Sequence, residues 1–345
     1  MRALTLTSHG SLDQLRVQDV PDPVISAPDQ VRISMRAAAL NRLDLFVLQG
    51  LPGVALQFPH VMGGDGAGVV ESVGAAVTRF QPRDRVMINP GLSCWNCEYC
   101  LAGEQSLCVS YRLLGEHVPG SIAELLVLPE RNLAPVPEGM PWEKAAAFSL
   151  ATLTAWRMLA NRAAVRAGET VLIWGIGGGV SLAALQIAKL LGARVIATSS
   201  SDAKLAAATT LGADVTLNYT TTDVPRQVRE LTARRGVEVV VENVGERTWE
   251  QSLRCLGRMG RLVTCGATTG PMVVTDVRKL FWYQWSIFGS TMGNYTEYQE
   301  ISRLAGQGKL WPLVDSVVPL DRAADAFARL ASGAQLGKLV IEVSS

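Results

Sequence analysis

Charged residues are scarce in this chain, and neither sign is in excess. Of its 345 residues, 18% are charged, and the formal net charge at pH 7 is +1. Proteins that bind nucleic acid or anionic membranes through electrostatics usually carry a basic surplus. The composition therefore argues against both kinds of partner and leaves a small molecule as the expected ligand.

Long hydrophobic runs are absent as well. The first twenty residues lack the apolar core of a signal peptide, and no apolar run is long enough to span a bilayer. Six cysteines in such a sequence fit a reducing cytoplasm, where thiolates stay available to metal. We therefore expect a cytoplasmic protein, long enough for two domains with separate cores.

Four of the six cysteines lie close together in the sequence. They are Cys94, Cys97, Cys100 and Cys108, with gaps of two, two and seven residues. This spacing brings four thiolates within reach of one tetrahedral zinc ion, which then has no open position for substrate and serves structure alone. Two disulfides or buried unpaired thiols are the alternatives. Cys255 and Cys265 lie in apolar segments and are interpreted as core residues.

The hydrophobic pattern changes along the chain. Residues 1 to about 130 form short alternating segments that predict strands of a β-barrel-like module. From about Trp142, predicted strands alternate with predicted helices at 182–191 and 203–211, which indicates an α/β domain with a doubly wound parallel sheet. Residues 317–343 again contain isolated strands, so the C-terminus is expected to complete the first domain. The predicted divisions are 1–140, 141–290 and 291–345.

The first strand–helix turn of the alternating region is rich in glycine. It contains Gly175, Gly177, Gly178 and Gly179, followed by Val180 and Ser181. Glycines allow a tight turn and let the backbone approach a pyrophosphate, which rests on amide groups at the start of the next helix. The turn follows a predicted buried strand, and this context predicts a dinucleotide site.

The end of the second strand indicates which dinucleotide binds. An acid there would hold the ribose hydroxyls and repel a 2′-phosphate. This strand ends instead in hydroxyls, Ser199 and Ser200, with Lys204 shortly after. The pattern favours NADP(H), with NAD(H) as the alternative. Asp202 lies past the strand end and is interpreted as a helix N-cap.

Together, the cysteine quartet, the glycine-rich run 63–68, the later glycine turn and the strand-bearing C-terminus resemble the medium-chain dehydrogenase/reductase superfamily. The resemblance implies a GroES-like catalytic domain built from both ends of the chain around a Rossmann domain. It also implies one structural zinc per subunit, a cleft active site and a homodimer whose sheet continues through Ser286–Gly289.

The chain departs from the zinc-dependent alcohol dehydrogenases of that superfamily at each ligand of their catalytic zinc. Asn41, Gly64 and a position near Leu150 stand where those enzymes have a cysteine, a histidine and a cysteine, and Leu43 replaces the hydroxyl of the proton relay. The chain instead resembles the zinc-free branch, which contains quinone oxidoreductases and enoyl or acryloyl thioester reductases. The tyrosine donor of one group of those reductases is Leu51 here.

The resemblance to this branch implies NAD(P)H-dependent reduction of an activated C=C bond, in an enone or a 2-enoyl thioester such as an enoyl-CoA. On this interpretation Asn41 holds the substrate oxygen, Asp44 braces its loop, and His60, His117 or solvent supplies a proton. The residues expected to bind the cofactor are Arg42, Thr154, Gly175, Gly177, Gly178, Gly179, Val180, Ser199, Ser200, Lys204, Tyr219 and Gly266. The alternatives are a quinone reductase, an alcohol dehydrogenase with a rebuilt zinc site, and a non-catalytic NADPH-binding protein.

Overall fold

The computed structural model describes residues 1–344. Its strands are β1 (Arg2–Leu6), β2 (Leu15–Asp19), β3 (Gln30–Ala39), β4 (His60–Val61), β5 (Asp65–Val73), β6 (Arg85–Ile88), β7 (Gly91–Leu92), β8 (Arg112–Leu113), β9 (Leu125–Pro129), β10 (Leu133–Pro135), β11 (Thr170–Ile173), β12 (Arg194–Ser199), β13 (Val215–Asn218), β14 (Val237–Glu242), β15 (Leu256–Thr264), β16 (Ser286–Gly289), β17 (Val314–Pro319) and β18 (Lys338–Glu342).

The helices are α1 (Arg42–Gln49), α2 (Glu98–Leu101), α3 (Trp142–Ala146), α4 (Ser149–Trp156), α5 (Gly179–Leu190), α6 (Asp202–Thr210), α7 (Val224–Leu231), α8 (Trp249–Cys255), α9 (Val277–Tyr283), α10 (Tyr295–Gly306) and α11 (Ala323–Ser332). A π-helical turn, Arg157–Arg162, continues α4. Among the described residues, no helix has both the length and the apolar character that a membrane crossing requires.

The chain divides into two units. Unit 1 comprises Met1–Ala151 and Gly293–Ser345, and unit 2 comprises Thr152–Met292. Strands dominate the first unit, whereas strands and helices alternate in the second. The predicted α/β class, with a GroES-like domain and a doubly wound domain, is confirmed.

The main sheet of unit 1 joins the two ends of the chain. Its strands run in the order β10-β6-β5-β3-β18-β17, with β9 also pairing with β3. Inward-facing residues of β3 alternate with less buried ones, as expected for a strand with one face on the core. Strand β18 pairs antiparallel with β3, with Val340 opposite Ala39, and Leu40 donates its N–H to the Leu339 carbonyl at 2.9 Å. This pairing places Lys338 beside the residues that follow β3.

Unit 2 is built on one six-stranded sheet in which every pairing is parallel. The order is β13-β12-β11-β14-β15-β16, so the first strand in sequence, β11, lies in the middle of the sheet. All four residues of β11 are buried, as is typical of a strand covered by helices on both faces. In such a sheet, ligands bind beyond the carboxyl ends of the strands where the order reverses. The glycine turn after β11 lies at that position.

Two local predictions differ from the structure. Helix α5 begins at Gly179, after the extended residue Gly178, rather than at residue 182. The prediction placed the start too late because it relied on the spacing of apolar side chains, and glycine has no side chain. The N-cap of α6 is Ser201, whose hydroxyl accepts from the Lys204 N–H. Asp202 is therefore the first helical residue, and the N-cap interpretation of it is wrong.

Candidate active site and metal centre

The cysteine quartet forms one cluster. The four sulfur atoms lie within 4.8 Å of one another. The Cys94 and Cys108 sulfurs are 3.4 Å apart and those of Cys94 and Cys100 4.0 Å, close to the ~3.8 Å edge of a tetrahedron with 2.3 Å Zn–S bonds. All four cysteines are free, so the sulfur atoms are spaced as ligands of one ion rather than as disulfide partners. The residues fit a structural zinc ion.

Backbone groups complete the surroundings of the sulfur atoms. The N–H of Cys94 donates to the Cys108 sulfur at 3.3 Å, and the N–H of Cys97 donates to the Cys94 sulfur at 3.4 Å. Such outer hydrogen bonds stabilise thiolate charge and orient metal ligands. These donors belong to the loop itself, so the loop must be folded for them to act.

Side chains that the sequence interpretation missed connect this loop to the rest of unit 1. The Trp95 ring meets the Tyr295 ring edge-on, with 5.3 Å between centroids, and the Arg131 guanidinium lies 5.3 Å from the Trp95 ring. Gln105 accepts from the Tyr295 N–H at 3.1 Å. Because Tyr295 is the first residue of α10, the cysteine loop and the start of α10 hold each other in place.

A buried polar cluster lies where β3 ends. Asp65 is fully buried, Lys338 is 4% exposed and Asn41 is 9% exposed. The Lys338 Nζ forms an ion pair with the Asp65 Oδ2 at 2.9 Å and donates to the Asn41 Oδ1. Asn41 Nδ2 donates to the same carboxylate oxygen at 3.0 Å, and the Leu150 N–H donates to the other at 2.8 Å. Asn41 was predicted to hold the substrate oxygen, and Asp65 was considered with His60 only as part of a rebuilt metal site, whereas Lys338 was not predicted to belong to a site.

Two of the positions where a catalytic zinc would need ligands contact each other. A Cβ atom on Gly64 would lie 3.2 Å from the Leu150 Cδ1, so an apolar methyl group fills the space beside the glycine. Neither side chain offers a donor atom to a metal. In residues 1–344, the only set of three or more Cys, His, Asp or Glu side chains close enough to share an ion is the cysteine quartet. A catalytic zinc does not fit this chain.

Asp44 and Arg42 both act within unit 1. The Asp44 Oδ2 accepts from the Asn41 N–H at 2.6 Å and so fixes the residue that precedes α1. Burial raises the pKa of Asp44 to about 7, although the Asn41 N–H and the Lys338 charge oppose this shift. Arg42, expected at the cofactor pyrophosphate, donates to the Leu330 carbonyl at 3.2 Å.

We predict that Asp44→Asn makes the protein more stable relative to wild type as pH rises. A carboxyl whose pKa is higher in the fold stabilises the protein below its unfolded value of about 3.9, and this stabilisation is lost as pH rises towards 7. An uncharged amide avoids the loss and still accepts from Asn41, so the advantage should approach ~4 kcal/mol at pH 8. Melting temperatures of both proteins from pH 5 to 8 would measure it.

Asp315→Asn is the control for this prediction. The hydrogen bond from Arg329 lowers the pKa of Asp315, so that group is ionised throughout the same pH range. Its stability difference from wild type should stay constant from pH 5 to 8. A constant difference for Asp44→Asn as well would contradict the raised pKa.

The two histidines considered as proton donors bond to backbone atoms. His60 is buried, and its Nε2 lies 3.1 Å from the Gly115 carbonyl oxygen, so that nitrogen carries the hydrogen. Burial also lowers the pKa of His60, which leaves a neutral ring that is a poor acid at pH 7. The His117 Nδ1 accepts from the Leu113 N–H at 3.2 Å.

Some of the residues expected to bind the cofactor come together at the glycine turn of unit 2, whereas Arg42 lies in unit 1. Gly175 and Gly177 have φ values of +62° and +136°, and Ser181 closes the turn by donating to the Gly175 carbonyl at 3.0 Å. A Cβ on Gly177 would lie 2.8 Å from the Lys204 Cδ and 3.2 Å from its Nζ. The ammonium therefore lies over the glycine turn.

The adjoining strand ends add further groups to this region. Tyr219 donates its N–H to the Ser199 carbonyl at 3.1 Å, and the residue is 42% exposed. Ser200, the next residue after Ser199, is also exposed. Thr154 lies elsewhere in unit 2, donating to the Met292 sulfur at 3.7 Å, and the Gly266 carbonyl accepts from the Thr264 hydroxyl at 3.2 Å.

Unit 2 contains a buried carboxylate that was not predicted from the sequence. Glu242, the last residue of β14, is fully buried and accepts from the Val244 and Gly245 N–H groups at 2.6 and 3.0 Å. The hydroxyls of Thr248 and Ser252 also donate to it. An acid that follows three consecutive valines at the end of a strand was the signal available in the sequence. The carboxylate fixes the turn at the carboxyl end of β14, the edge of the sheet where ligands bind.

Family models match both units. One described as "Alcohol dehydrogenase GroES-like domain" covers residues 27–138, and one described as "Zinc-binding dehydrogenase" covers residues 179–307. The chain is also similar to a crystal structure of an NAD-dependent alcohol dehydrogenase, with 46% identity, full coverage of both chains and a TM-score of 0.96.

Curated relatives span nearly the whole chain but differ in described activity. A zinc-type alcohol dehydrogenase-like protein of Schizosaccharomyces pombe is 32% identical, with 96% of each chain covered. A quinone oxidoreductase of Pseudomonas aeruginosa is 32% identical, with 99% of each covered. An acryloyl-coenzyme A reductase of Sulfurisphaera tokodaii is 27% identical, over 95% of this chain and 96% of the relative. On this similarity and on its fold, the chain belongs to the medium-chain dehydrogenase/reductase superfamily and is an NAD(P)H-dependent oxidoreductase.

Proposed function

We propose that this protein reduces an activated C=C bond, in an enone or a 2-enoyl thioester, without a catalytic metal. The observation that carries the proposal is that a Leu150 methyl group occupies the space where a side chain on Gly64 would lie, so neither position offers a ligand to a metal. Reduction of a simple ketone concentrates negative charge on one oxygen, which zinc stabilises in metal-dependent enzymes. A chain without those ligands is better suited to a reaction that spreads the charge.

Conjugate reduction spreads the charge in this way. When bound, NAD(P)H would supply a hydride for a new C–H bond at the β-carbon. The C=C electron pair moves to the carbonyl, the carbonyl oxygen becomes an enolate oxygen, and a solvent proton then adds at the α-carbon. Hydrogen-bond donors are enough to stabilise a delocalised enolate. Because His60 is neutral and donates to a backbone carbonyl, solvent is the better proton source.

Asn41 is the donor that we assign to the substrate oxygen. One N–H of its amide is committed to Asp65, and its carbonyl oxygen accepts from Lys338. The second N–H has no acceptor among residues 1–344 and is left for a ligand. Asp44 holds the Asn41 backbone from the other side.

We further propose that NADPH is preferred over NADH. Lys204 places positive charge over the glycine turn, and Ser200 and Tyr219, at the ends of the neighbouring strands, are both exposed. A 2′-phosphate carries the negative charge that such a group attracts. One zinc ion per subunit and the homodimer implied by the resemblance stay predictions.

The deciding experiment follows NADPH and NADH oxidation with four acceptors: crotonyl-CoA, but-3-en-2-one, 1,4-benzoquinone and butanal. We expect turnover of crotonyl-CoA or the enone, with NADPH favoured and with no dependence on added zinc. Turnover restricted to butanal would refute the proposal and favour an alcohol dehydrogenase with a rebuilt site. Tight NADPH binding without turnover of any acceptor would favour a non-catalytic protein.

Quinone reduction is the second candidate. The observation in its favour is the similarity, over 99% of both chains, to the quinone oxidoreductase of Pseudomonas aeruginosa. A quinone also delocalises the charge that hydride addition creates, so the same amide donor would serve. A kcat/KM for benzoquinone more than tenfold above that for crotonyl-CoA and for the enone would make this the better assignment.

A further inference from the structure

We propose that Lys338 is a positioning residue that fixes which end of the Asn41 amide faces the substrate. The inference deepens the proposed function and rests on it for the role of Asn41. It begins from a chemical asymmetry in the buried cluster of Asn41, Asp65 and Lys338. An ammonium only donates hydrogen bonds, an ionised carboxylate only accepts them, and an amide does one at each end.

This asymmetry allows a single orientation of the amide. The Lys338 Nζ contacts the Asn41 Oδ1, and the Asp65 Oδ2 lies 3.0 Å from the Asn41 Nδ2. A reversed amide would direct N–H groups at the ammonium and an oxygen at the carboxylate, which breaks two buried hydrogen bonds at once. Lys338 and Asp65 therefore hold Asn41 so that an N–H, and not a carbonyl oxygen, remains for the ligand.

The fold places this ammonium in the site from a distant part of the chain. Lys338 begins β18, whose pairing with β3 brings it next to the residue before α1. Its side chain is almost fully buried and its ion pair with Asp65 is fully enclosed. A lysine that served only solubility would not be buried at this cost in desolvation.

Two variants distinguish the orientation of the Asn41 amide from the charges of Lys338 and Asp65. Asp65→Asn with Lys338→Met removes both charges together, so no unpaired ion is left buried. The Leu150 N–H still requires an oxygen acceptor from position 65, so the amino group of the introduced amide faces Asn41 and favours reversal of the Asn41 amide. Lys338→Arg keeps a donor-only cation and should keep the native orientation.

The first readout is kinetic, with whichever of the four acceptors the wild type reduces fastest. We expect the neutral double variant to lose 10- to 100-fold in kcat/KM while its Kd for NADPH stays within twofold, and Lys338→Arg to stay within about threefold of wild type. In an Asn41→Ala background, adding the double change should alter kcat/KM by less than twofold. Lys189→Met, which removes a 2.7 Å pair with Asp214 in unit 2, is the matched control and should have no effect.

The second readout does not depend on activity. Crystal structures of the wild type and of the double variant, at a resolution that distinguishes amide O from N, should show opposite Asn41 orientations. An unchanged Asn41 amide, or an equal kinetic loss in the Asn41→Ala background, would overturn the inference. If the wild type reduces no acceptor, the proposed function fails, and the crystal structures alone decide whether Lys338 orients Asn41.

Discussion

Replacing Cys108 with serine should remove the zinc and lower the melting temperature by roughly 10 °C. Cys108 is buried, its sulfur lies 3.4 Å from that of Cys94, and it accepts from the Cys94 N–H. Structural zinc contributes directly to folding free energy, and a hydroxyl is a poor ligand for it. A loss of about 4 kcal/mol corresponds to a shift of this size in a domain of some 200 residues.

The measurement combines metal analysis with thermal unfolding. Wild type should contain one zinc ion per chain, and Cys108→Ser close to none. Because Trp95 packs on Tyr295, tryptophan fluorescence should report loosening of the loop at a lower temperature than global unfolding. Cys265→Ala, which removes a thiol from unit 2, should keep the metal content of wild type. Two zinc ions per chain in wild type would contradict the proposal that the reaction proceeds without a catalytic zinc.

Replacing Lys204 with alanine should weaken NADPH binding by 10- to 100-fold and leave NADH binding within about threefold. The Lys204 ammonium lies over the glycine turn, 3.2 Å from a Cβ built on Gly177. A hydrogen bond to a charged group contributes about 1.5–3 kcal/mol. Because about 1.4 kcal/mol changes Kd tenfold, its loss corresponds to the expected 10- to 100-fold weakening of NADPH binding. Fluorescence titration with each dinucleotide would measure the two constants.

Arg226→Ala is the control for the cofactor experiment. Arg226 is a cation on the surface of the same unit, paired with Glu230 along α7. Its removal should leave both constants unchanged, which separates a specific contact from a change in overall charge. An equal loss for NADH in Lys204→Ala would place the lysine at the pyrophosphate instead and would remove the argument for NADPH.

Features set by local spacing could be predicted from the sequence. The quartet was predictable because Cys94, Cys97 and Cys100 are so near in the chain that one turn of backbone brings their sulfurs together. The glycine turn was predictable because Gly175 and Gly177 need backbone conformations that other residues rarely adopt, directly after a buried strand. The boundaries were less certain, as the start of α5 and the capping role of Ser201 demonstrate.

The prediction that the chain lacks a catalytic zinc also rested on residue types. Gly64 and Leu150 cannot ligate metal in any conformation of their side chains. The group that fills the space beside Gly64 could not be predicted. It is a methyl group of Leu150, a residue far from Gly64 in sequence.

The sequence by itself therefore determined the family and the cofactor class, and it predicted the clustering of the four cysteines, because each depends on short segments whose spacing limits the geometry. Only the tertiary structure decided which side chains of the candidate site contact one another. Lys338 reaches Asp65 across 273 positions of sequence, through the pairing of β18 with β3, and no local periodicity encodes such a contact. Burial excludes water from this contact, so the Asn41 amide must satisfy the ammonium and the carboxylate itself. It can do so in a single orientation.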